Sequence, residues 1–285
     1  MSIAQSGSQK LKKNITTDDE VNLPKGGESL FRGIYTTLSG MGVQQSRLDL
    51  ITSNLANVES KGYKSDQIRT ETFGEVLIHH QSPNQKGLTP VGPSNMGSAV
   101  AEVYIDMTQG DLSTSGEYTD LALDGKGFYV LQAQTEQGQQ EFYSRDSSFY
   151  VDKDGYLVNT RGDKLLSESG PIKVGDKKFE VDQKGRLTID GETRPRYTLR
   201  VVEFADTRAL KKEGEKYFSP TEEAEILPST ETKVLQGVIE SSNVDTTVEM
   251  TNMIQVMRTY QAGQRLMQAH DELLNKAANQ LGSLR

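Results

Sequence analysis

Two segments, one near each end of the chain, carry apolar residues at helical spacing. The C-terminal segment, from about Ser242 to Leu284, has no proline and one interior glycine, Gly263. Its main apolar row recurs at every seventh position: Met253, Tyr260, Met267, Leu274 and Leu281. A second row is partly filled by Met250, Met257 and Ala278. This pattern predicts an amphipathic helix of roughly 55–60 Å that requires helical partners.

The N-terminal segment between Leu30 and Leu55 has the same spacing. Its apolar positions are Ile34, Met41, Leu48 and Leu55, with Phe31 and Leu38 completing the stripe. Three glycines within it each cost ~1 kcal/mol relative to alanine, so the predicted helix is marginal alone and needs packing to persist. The two helices are therefore expected to pack on each other, or on copies in neighbouring subunits.

Short apolar runs bounded by turn residues fill positions 98–239 and predict a compact, largely antiparallel β domain. Within it a ten-residue pattern beginning at Phe149 is repeated at Phe179, with phenylalanine, valine, aspartate, glycine and leucine at matching places. Each copy predicts a hairpin whose Asp-x-x-Gly reverses the chain. The aromatic residues expected to face the core are Phe128, Tyr129, Phe142, Phe149 and Phe179.

These patterns predict an α+β fold in which long N- and C-terminal helices form a coiled-coil layer and a largely antiparallel β domain lies between them. The predicted segments are a disordered N-terminal extension (1–29), an N-terminal helix (30–60), an extended linker (61–97), the β domain (98–239) and a C-terminal helix (240–285). Ser29 is expected to cap the first helix. Prolines and glycines across 81–97 predict a loop there.

Composition narrows the possible functions. A net charge of −8, with no basic cluster, argues against nucleic-acid binding. The absence of cysteine excludes disulfides, thiolate catalysis and zinc–thiolate sites. No apolar run approaches the ~20 residues of a membrane span, and the N-terminus lacks the features of a cleaved secretory signal. A hydrophobic share of 34% suggests segments that do not pack within the monomer.

No catalytic, cofactor or metal site is predicted. Asp152-x-Asp154-Gly155 superficially resembles a calcium loop, but the later glycine and glutamate that such a loop requires are missing. His79 and His80 are adjacent and are interpreted as surface residues rather than metal ligands. The sequence also lacks the established hydrolase, metalloprotease and nucleotide-binding motifs, so an enzyme is not expected.

Short motifs at both ends and in the middle occur in a particular order. They are Asn54-Leu55-Ala56-Asn57 followed by Gly62-Tyr63, then 108–112 (TQGDL), 120–130 (DLALDGKGFYV), 144–146 (SRD), and 235–245 (LQGVIESSNVD) followed by 249–260. Together, over about residues 30–285, they resemble the bacterial flagellar basal-body rod and hook family. The compact β domain favours a rod protein over the hook protein, and a proximal or a distal position in the rod stays open.

The resemblance implies a structural axial subunit of the flagellar rod that is exported unfolded, without a cleaved signal peptide, and polymerises helically through its terminal helices to transmit torque from motor to hook. Its partners would be copies of itself, other rod and hook subunits and the flagellar type III export apparatus. Nucleic acid, membrane insertion and cofactors are not expected. Its location would be the basal body, outside the cytoplasmic membrane.

The same resemblance places the two helices in an inner coiled-coil layer with the β domain outside it. Mapped onto this sequence, the implied assembly interface comprises Ile34, Leu38, Met41, Leu48, Asn54, Leu55, Asn57, Asn243, Met250, Met253, Met257, Tyr260, Met267, Leu274 and Leu281. The three asparagines are expected to make polar contacts at the helix ends. Residues 1–29 precede the first helix and depart from the family pattern. They are interpreted either as an added export or docking segment or as residues foreign to the natural protein.

A second hypothesis is a soluble β-rich binding module, for carbohydrate for example, dimerised by a coiled coil. Such a module should cluster aromatic residues on one exposed strand face. The alternating aromatic positions of this chain are instead those expected of a core, which favours the rod subunit.

Overall fold

A computed structural model describes residues 27–72, 76–81, 88–94, 97–135, 138–221, 224–229 and 231–282. The disorder predicted for 1–29 falls largely on residues 1–26, outside this part of the chain. Gly27–Ser29 are already helical, so the expectation that Ser29 caps the helix is wrong.

The two long helices are α1 (Gly27–Ala56) and α2 (Thr246–Gly282), and they pack against each other antiparallel. The first turns of α2 lie beside the last turns of α1, and His270 near the other end of α2 lies against Gly33. Asp245 begins α2, because its Oδ1 accepts hydrogen bonds from the backbone N–H groups of Thr247 and Val248 at 2.8 and 3.1 Å. At ~1.5 Å per residue α2 is about 55 Å long.

The strands and a short 3₁₀ helix fill the chain between the two helices. The strands before residue 145 are β1 (Asp66–Thr72), β2 (Val76–Gln81), β3 (Leu88–Ser94), β4 (Ser98–Ile105), β5 (Leu112–Thr114), β6 (Leu121–Asp124), β7 (Phe128–Thr135) and β8 (Gly138–Ser144). Those after it are β9 (Phe149–Val151), β10 (Leu157–Asn159), β11 (Lys164–Ser167), β12 (Gly170–Pro171), β13 (Phe179–Val181), β14 (Arg186–Ile189), β15 (Tyr197–Thr198), β16 (Val201–Phe204), β17 (Leu210–Glu213), β18 (Tyr217–Pro220), β19 (Ile226–Pro228), β20 (Lys233–Gln236) and β21 (Val238–Glu240). The 3₁₀ helix spans Thr207–Ala209.

The described residues of 61–97 include strands, where the sequence predicted an extended linker. It contains β1, which pairs antiparallel with β4, and the β2–β3 hairpin. The loop predicted across 81–97 is therefore wrong at β3, which includes Pro90 and Pro93. A two-stranded hairpin offers an edge to each strand, and an edge tolerates proline because no further strand needs its missing N–H.

The β domain is antiparallel throughout its described pairings, as predicted. Its largest sheet runs β17-β18-β8-β7-β11-β10-β9, with β12 on β11 and with β16 joining β7 to β19. The strands β13, β14 and β15 form a second sheet, while β6 pairs with β20 and β5 with β21. Four of the five aromatic residues assigned to the core are buried and Phe142 packs against them, which confirms that prediction.

The internal repeat forms two equivalent hairpins, as predicted. In one, β9 pairs with β10; in the other, β13 pairs with β14. Gly155 and Gly185 have φ of 80° and 73°, and each donates its N–H to the carbonyl of the aspartate three residues earlier, at 2.8 and 2.9 Å. The Asp-x-x-Gly sequence is therefore a turn in both copies.

The candidate assembly surface and the joint beside it

The face of α2 that packs on α1 is a narrow seam. It consists of the half-buried or buried residues Glu249, Met253, Val256, Tyr260, Gly263, Met267, His270 and Leu274, spaced alternately by four and three. Met253, Tyr260, Met267 and Leu274 are the main predicted row. Leu281 continues it in sequence, but its side chain lies outside the described residues.

The second predicted row is displaced by one residue. Met250, Met257 and Ala278 are exposed, and the positions that complete the seam include Val256, Gly263 and His270 instead. A Cβ on Gly263 would lie 2.7 Å from Met41 Cγ, so glycine lets the helices approach closely there. The second row was predicted from apolar residues alone, which favoured the methionines. The close approach of the helices instead places the row that contains Gly263 in the seam. Coiled-coil geometry stays a prediction.

Helix α1 buries two faces rather than one. Ile34, Met41, Leu48 and Leu55 are half-buried as components of the predicted stripe, whereas Leu38 is exposed. The more deeply buried apolar side chains are those of Val43 and Ile51, which the stripe did not include. The β1–β4 ribbon supplies the other partner: the Ser98 N–H donates to Ser39 Oγ at 3.3 Å, and Arg47 donates to Thr70 Oγ1 at 3.3 Å.

Large apolar side chains of the helix pair are exposed in the described part of the chain. On α1 they are Tyr35 and Leu38, and on α2 they are Val248, Met250, Ile254, Met257, Leu266 and Leu273. A surface of this kind is typical of a protein–protein interaction site.

A buried polar joint connects the helix pair to the β domain, and Asn54 lies at its helix side. Asn54 Nδ2 donates to the Asp66 carbonyl and to Glu249 Oε1, both at 3.0 Å. Its Oδ1 accepts from the Asp66 N–H at 3.0 Å and from the Tyr63 hydroxyl at 3.2 Å. One side chain therefore links the end of α1, the start of β1 and the first turn of α2.

Asn57 and Asn243 also make polar contacts at the helix ends. Asn57 donates to the Ser53 carbonyl at 3.0 Å and accepts from Ser60 Oγ at 3.1 Å. Asn243, three residues before α2, accepts from the Ser65 N–H at 2.8 Å and donates to the Asp106 carbonyl at 2.8 Å. All these contacts are within one chain, and a place in an interface between subunits stays a prediction.

Three charged side chains lie at the centre of the joint. The Glu240 carboxylate accepts from Lys64 Nζ at 2.6 Å and from Arg145 Nη1 at 3.5 Å, and the three side chains are 1%, 0% and 3% exposed. Glu240 Oε1 also accepts the Gly110 N–H at 3.1 Å, and Arg145 Nη2 donates to the Gly125 carbonyl at 2.7 Å. We call Lys64, Arg145 and Glu240 the ion triad.

Burial dominates the electrostatics of the ion triad. Loss of solvation lowers the pKa of Lys64 and that of Arg145, and in both cases the Glu240 carboxylate partly offsets the effect. Two cations are held on one buried anion, and backbone groups at Thr108, Gly110 and Gly125 make further hydrogen bonds to the three side chains. Sequence reasoning missed all three residues of the triad, although each lies within or beside a quoted motif.

Gly62 shows how tightly the joint is packed. Its φ is 67°, and a Cβ there would lie 2.1 Å from the Arg145 carbonyl oxygen. The Gly62 N–H donates to the Glu240 carbonyl at 2.8 Å. The glycine of the Gly62-Tyr63 motif is therefore required both by backbone conformation and by the approach of the β domain.

The motifs quoted from the sequence converge on this joint. The end of α1 supplies Asn54, the segment between α1 and β1 supplies Lys64, and the loop before β5 supplies Gly110. The loop after β8 supplies Arg145, and the segment before α2 supplies Glu240 and Asn243. Among the described residues, no grouping of His, Asp and Glu side chains could hold a metal ion, and none of the helices is long and apolar enough to cross a membrane.

Comparison with known proteins matches three parts of the chain. Residues 34–64 match the flagella basal body rod protein family, 122–189 the D1 domain of the flagellar hook protein FlgE/F/G, and 235–281 the C-terminal region of the flagellar basal body rod FlgEFG proteins. The flagellar hook-basal body complex protein FlhO of Bacillus subtilis (strain 168) is 32% identical over 274 residues, which cover 90% of this chain and 100% of that protein. The chain belongs to the flagellar basal-body rod protein family.

Other relatives of this rod-family chain align over nearly their whole length. The flagellar basal-body rod protein FlgG of Bacillus subtilis (strain 168) is 28% identical over 88% of this chain and 99% of its own. FlgF of Caulobacter vibrioides is 27% identical over 88% and 98%. The first and last family matches include the asparagines and the triad residues Lys64 and Glu240, so the matched segments are the ones that build the joint.

Proposed function

We propose that this chain is a structural subunit of the flagellar basal-body rod that polymerises through its helix pair and transmits torque from motor to hook. It is exported by the flagellar type III apparatus without a cleaved signal, and it lies in the basal body outside the cytoplasmic membrane. Its partners are copies of itself and other rod and hook subunits.

The observation that carries this proposal is the uncovered apolar surface of the helix pair. The seam between α1 and α2 uses one face of α2, and exposed side chains such as Ile254 and Leu266 lie beyond it. Contact with other subunits would cover them. The joint supports the mechanical part, because a buried, hydrogen-bonded centre passes force between the helices and the β domain with little bending.

The alternative, a soluble binding module, fits less well. Its exposed aromatic residues should share one strand face. In the described part of the β domain the exposed aromatic side chains are Tyr104, Tyr118 and Tyr150. Tyr104 is on β4, Tyr118 is in a turn and Tyr150 is on β9, so they do not share a strand.

The proposal is tested in the bacterium that encodes the chain, by deleting the gene and examining isolated basal bodies by electron microscopy. We expect incomplete rods and loss of swimming, both restored by the wild-type gene. The variant Ile254→Glu/Met257→Glu should fail to restore them, because it charges the exposed helix surface. Tyr150→Glu, an equally exposed change in the β domain, should restore them. Complete rods in the deletion strain would refute the function.

A further inference from the structure

The exposed apolar residues of α2 form two separate stripes. The proximal stripe, near the joint, consists of Met250, Ile254 and Met257. The distal stripe consists of Ala262, Leu266, Ala269 and Leu273, all exposed. Each stripe is spaced by three and four residues, the spacing that packs against another helix.

The two stripes lie on opposite flanks of the seam. Every residue of the proximal stripe follows a seam residue by one position, and every residue of the distal stripe precedes one. One position is a rotation of about 100° on an α-helix. With α1 in front of the seam, one stripe therefore faces to one side of α2 and the other stripe faces to the opposite side.

The complementary positions are mostly polar, so the apolar flank changes sides along the helix. In the proximal half, the residues that precede a seam residue are Val248, Asn252, Gln255 and Thr259. In the distal half, the residues that follow one are Gln264, Gln268, Asp271 and Asn275. The described residues of α2 therefore lack the single continuous apolar patch that a two-fold dimer would use on both copies. A head-to-tail contact instead requires two different patches, as found here.

We propose that the proximal stripe of one copy packs against the distal stripe of a second, parallel copy. This inference rests on the proposed function and specifies its subunit contact. The centres of the stripes are about 14 residues apart, so the second copy is displaced by ~21 Å along the helix axis. Because each copy retains one unused stripe, the contact repeats and forms an open polymer.

Charge supports the same displacement. Arg258 lies beside the proximal stripe and Glu272 beside the distal stripe, again 14 positions apart. Both are exposed, and neither has an ion-pair partner within the described chain. A parallel copy shifted by 14 residues would bring Arg258 of one subunit level with Glu272 of the next, where opposite charges favour this register.

The size of the contact also favours a polymer over an isolated pair. Each stripe consists of only three or four exposed apolar side chains, too few to bury the ~800 Å² per partner of a stable two-protein interface. A single contact would dissociate readily. Repetition along a filament, with each copy held on both sides, provides the missing area.

Cysteine cross-linking tests the contact, because the natural chain has no cysteine. The full chain is concentrated until the wild type pellets on ultracentrifugation, and the variants are then oxidised with copper phenanthroline. Ile254→Cys/Ala269→Cys should give a ladder of dimers, trimers and larger species. The matched control Ile254→Cys/Gln268→Cys places the second thiol at nearly the same level as Ala269 but on the other flank, and it should give no ladder. Neither should the single variants.

The results separate the contact from the proposed function. The contact would be overturned if Ile254→Cys/Ala269→Cys pellets as a polymer but gives no ladder, or if the control gives an equal ladder. Either result would leave polymerisation intact. Dimers from Ile254→Cys alone would show a two-fold contact and also overturn it. A wild-type chain that never pellets would overturn polymerisation, and the contact with it.

Charge reversal provides a second measurement that does not depend on cysteine geometry. It tests the proposed contact even if the double-cysteine variant fails to pellet. Arg258→Glu and Glu272→Arg should each raise the concentration needed to pellet the chain at least severalfold, because each opposes like charges. The double variant should restore the wild-type concentration. Additive loss in the double variant would contradict the register.

Discussion

Replacing Glu240 with glutamine should destabilise the chain far more than a single neutralised carboxylate usually does. The substitution keeps the shape and one acceptor oxygen for the Gly110 N–H, but it removes the negative charge from between Lys64 and Arg145. Two buried cations then lack a counter-charge. Breaking a buried ion pair from one side typically costs 3–5 kcal/mol.

Deprotonation of Lys64 limits how much stability Glu240→Gln can lose, and so explains the upper end of the 3–5 kcal/mol range. If Lys64 loses its proton in the folded variant, the cost at pH 7 is about 5 kcal/mol for a group whose ordinary pKa is 10.5. Arg145 stays charged and keeps its hydrogen bond to the Gly125 carbonyl and its position 5.0 Å from the centre of the Phe128 ring. We therefore expect a loss of about 3–5 kcal/mol.

The pH dependence gives a second signature. Burial lowers the pKa of Lys64, and removing the Glu240 charge lowers it further. Between that lowered pKa and 10.5 the unfolded state binds the proton that the folded state lacks, so stability rises with pH in this window. The deficit of Glu240→Gln relative to the wild type should therefore shrink as the pH rises towards the ordinary lysine pKa of 10.5.

Urea unfolding, followed by far-ultraviolet circular dichroism and by tyrosine fluorescence, measures these free energies, since the chain has eleven tyrosines and no tryptophan. The matched control is Glu141→Gln, which breaks an exposed ion pair with Arg200 and should cost at most ~1 kcal/mol. A loss in Glu240→Gln no larger than that of the control would refute the reasoning.

Three further predictions concern backbone and tyrosine positions. Gly62→Ala should cost more than ~2 kcal/mol in urea unfolding, since it adds a clash to a left-handed backbone, whereas Gly116→Ala, with φ of 80° and open space, should cost only about 1 kcal/mol. Gly40→Ala, also in open space, should increase helicity and stabilise α1 by up to ~1 kcal/mol; a lower unfolding midpoint would contradict this. Burial, and then its hydrogen bond to an aspartate, raise the pKa of Tyr217, so its stabilisation is present below pH ~10 and is lost as pH rises above that value. Measured against its own value at pH 7, the stability of Tyr217→Phe should therefore fall less between about pH 9.5 and 11.5 than that of the wild type. The exposed control Tyr150→Phe should behave like the wild type. An equal fall in stability for Tyr217→Phe and the wild type would refute the role of Tyr217.

Local patterns predicted the parts of the fold that depend on local rules. The two Asp-x-x-Gly hairpins followed from turn chemistry, and the core aromatic residues followed from strand alternation. The main row of the seam followed from a seven-residue period. In each case the residues that decide the structure are neighbours in sequence.

The missed features depend on partners that are distant in sequence. The seam row with Gly263 depends on the approach of Met41, and no periodicity of apolar residues selects a glycine. Strand β1 forms because β4 pairs with it, despite a polar sequence. Lys64 and Glu240 are 176 positions apart, and each in isolation resembles a surface residue.

The triple variant Lys64→Met/Arg145→Met/Glu240→Leu separates charge pairing from the other work of the joint. Replacing a buried ion group with apolar side chains is often neutral or stabilising by 1–4 kcal/mol. Here the triad also holds the Gly110 N–H and the Gly125 carbonyl, which the new side chains cannot satisfy. Each unpaired buried group costs about 1–3 kcal/mol, so the triple variant should be less stable than wild type but more stable than Glu240→Gln. Urea unfolding of the three proteins orders them directly. A triple variant as stable as wild type would show that the triad's backbone contacts are dispensable and that charge balance alone explains its burial.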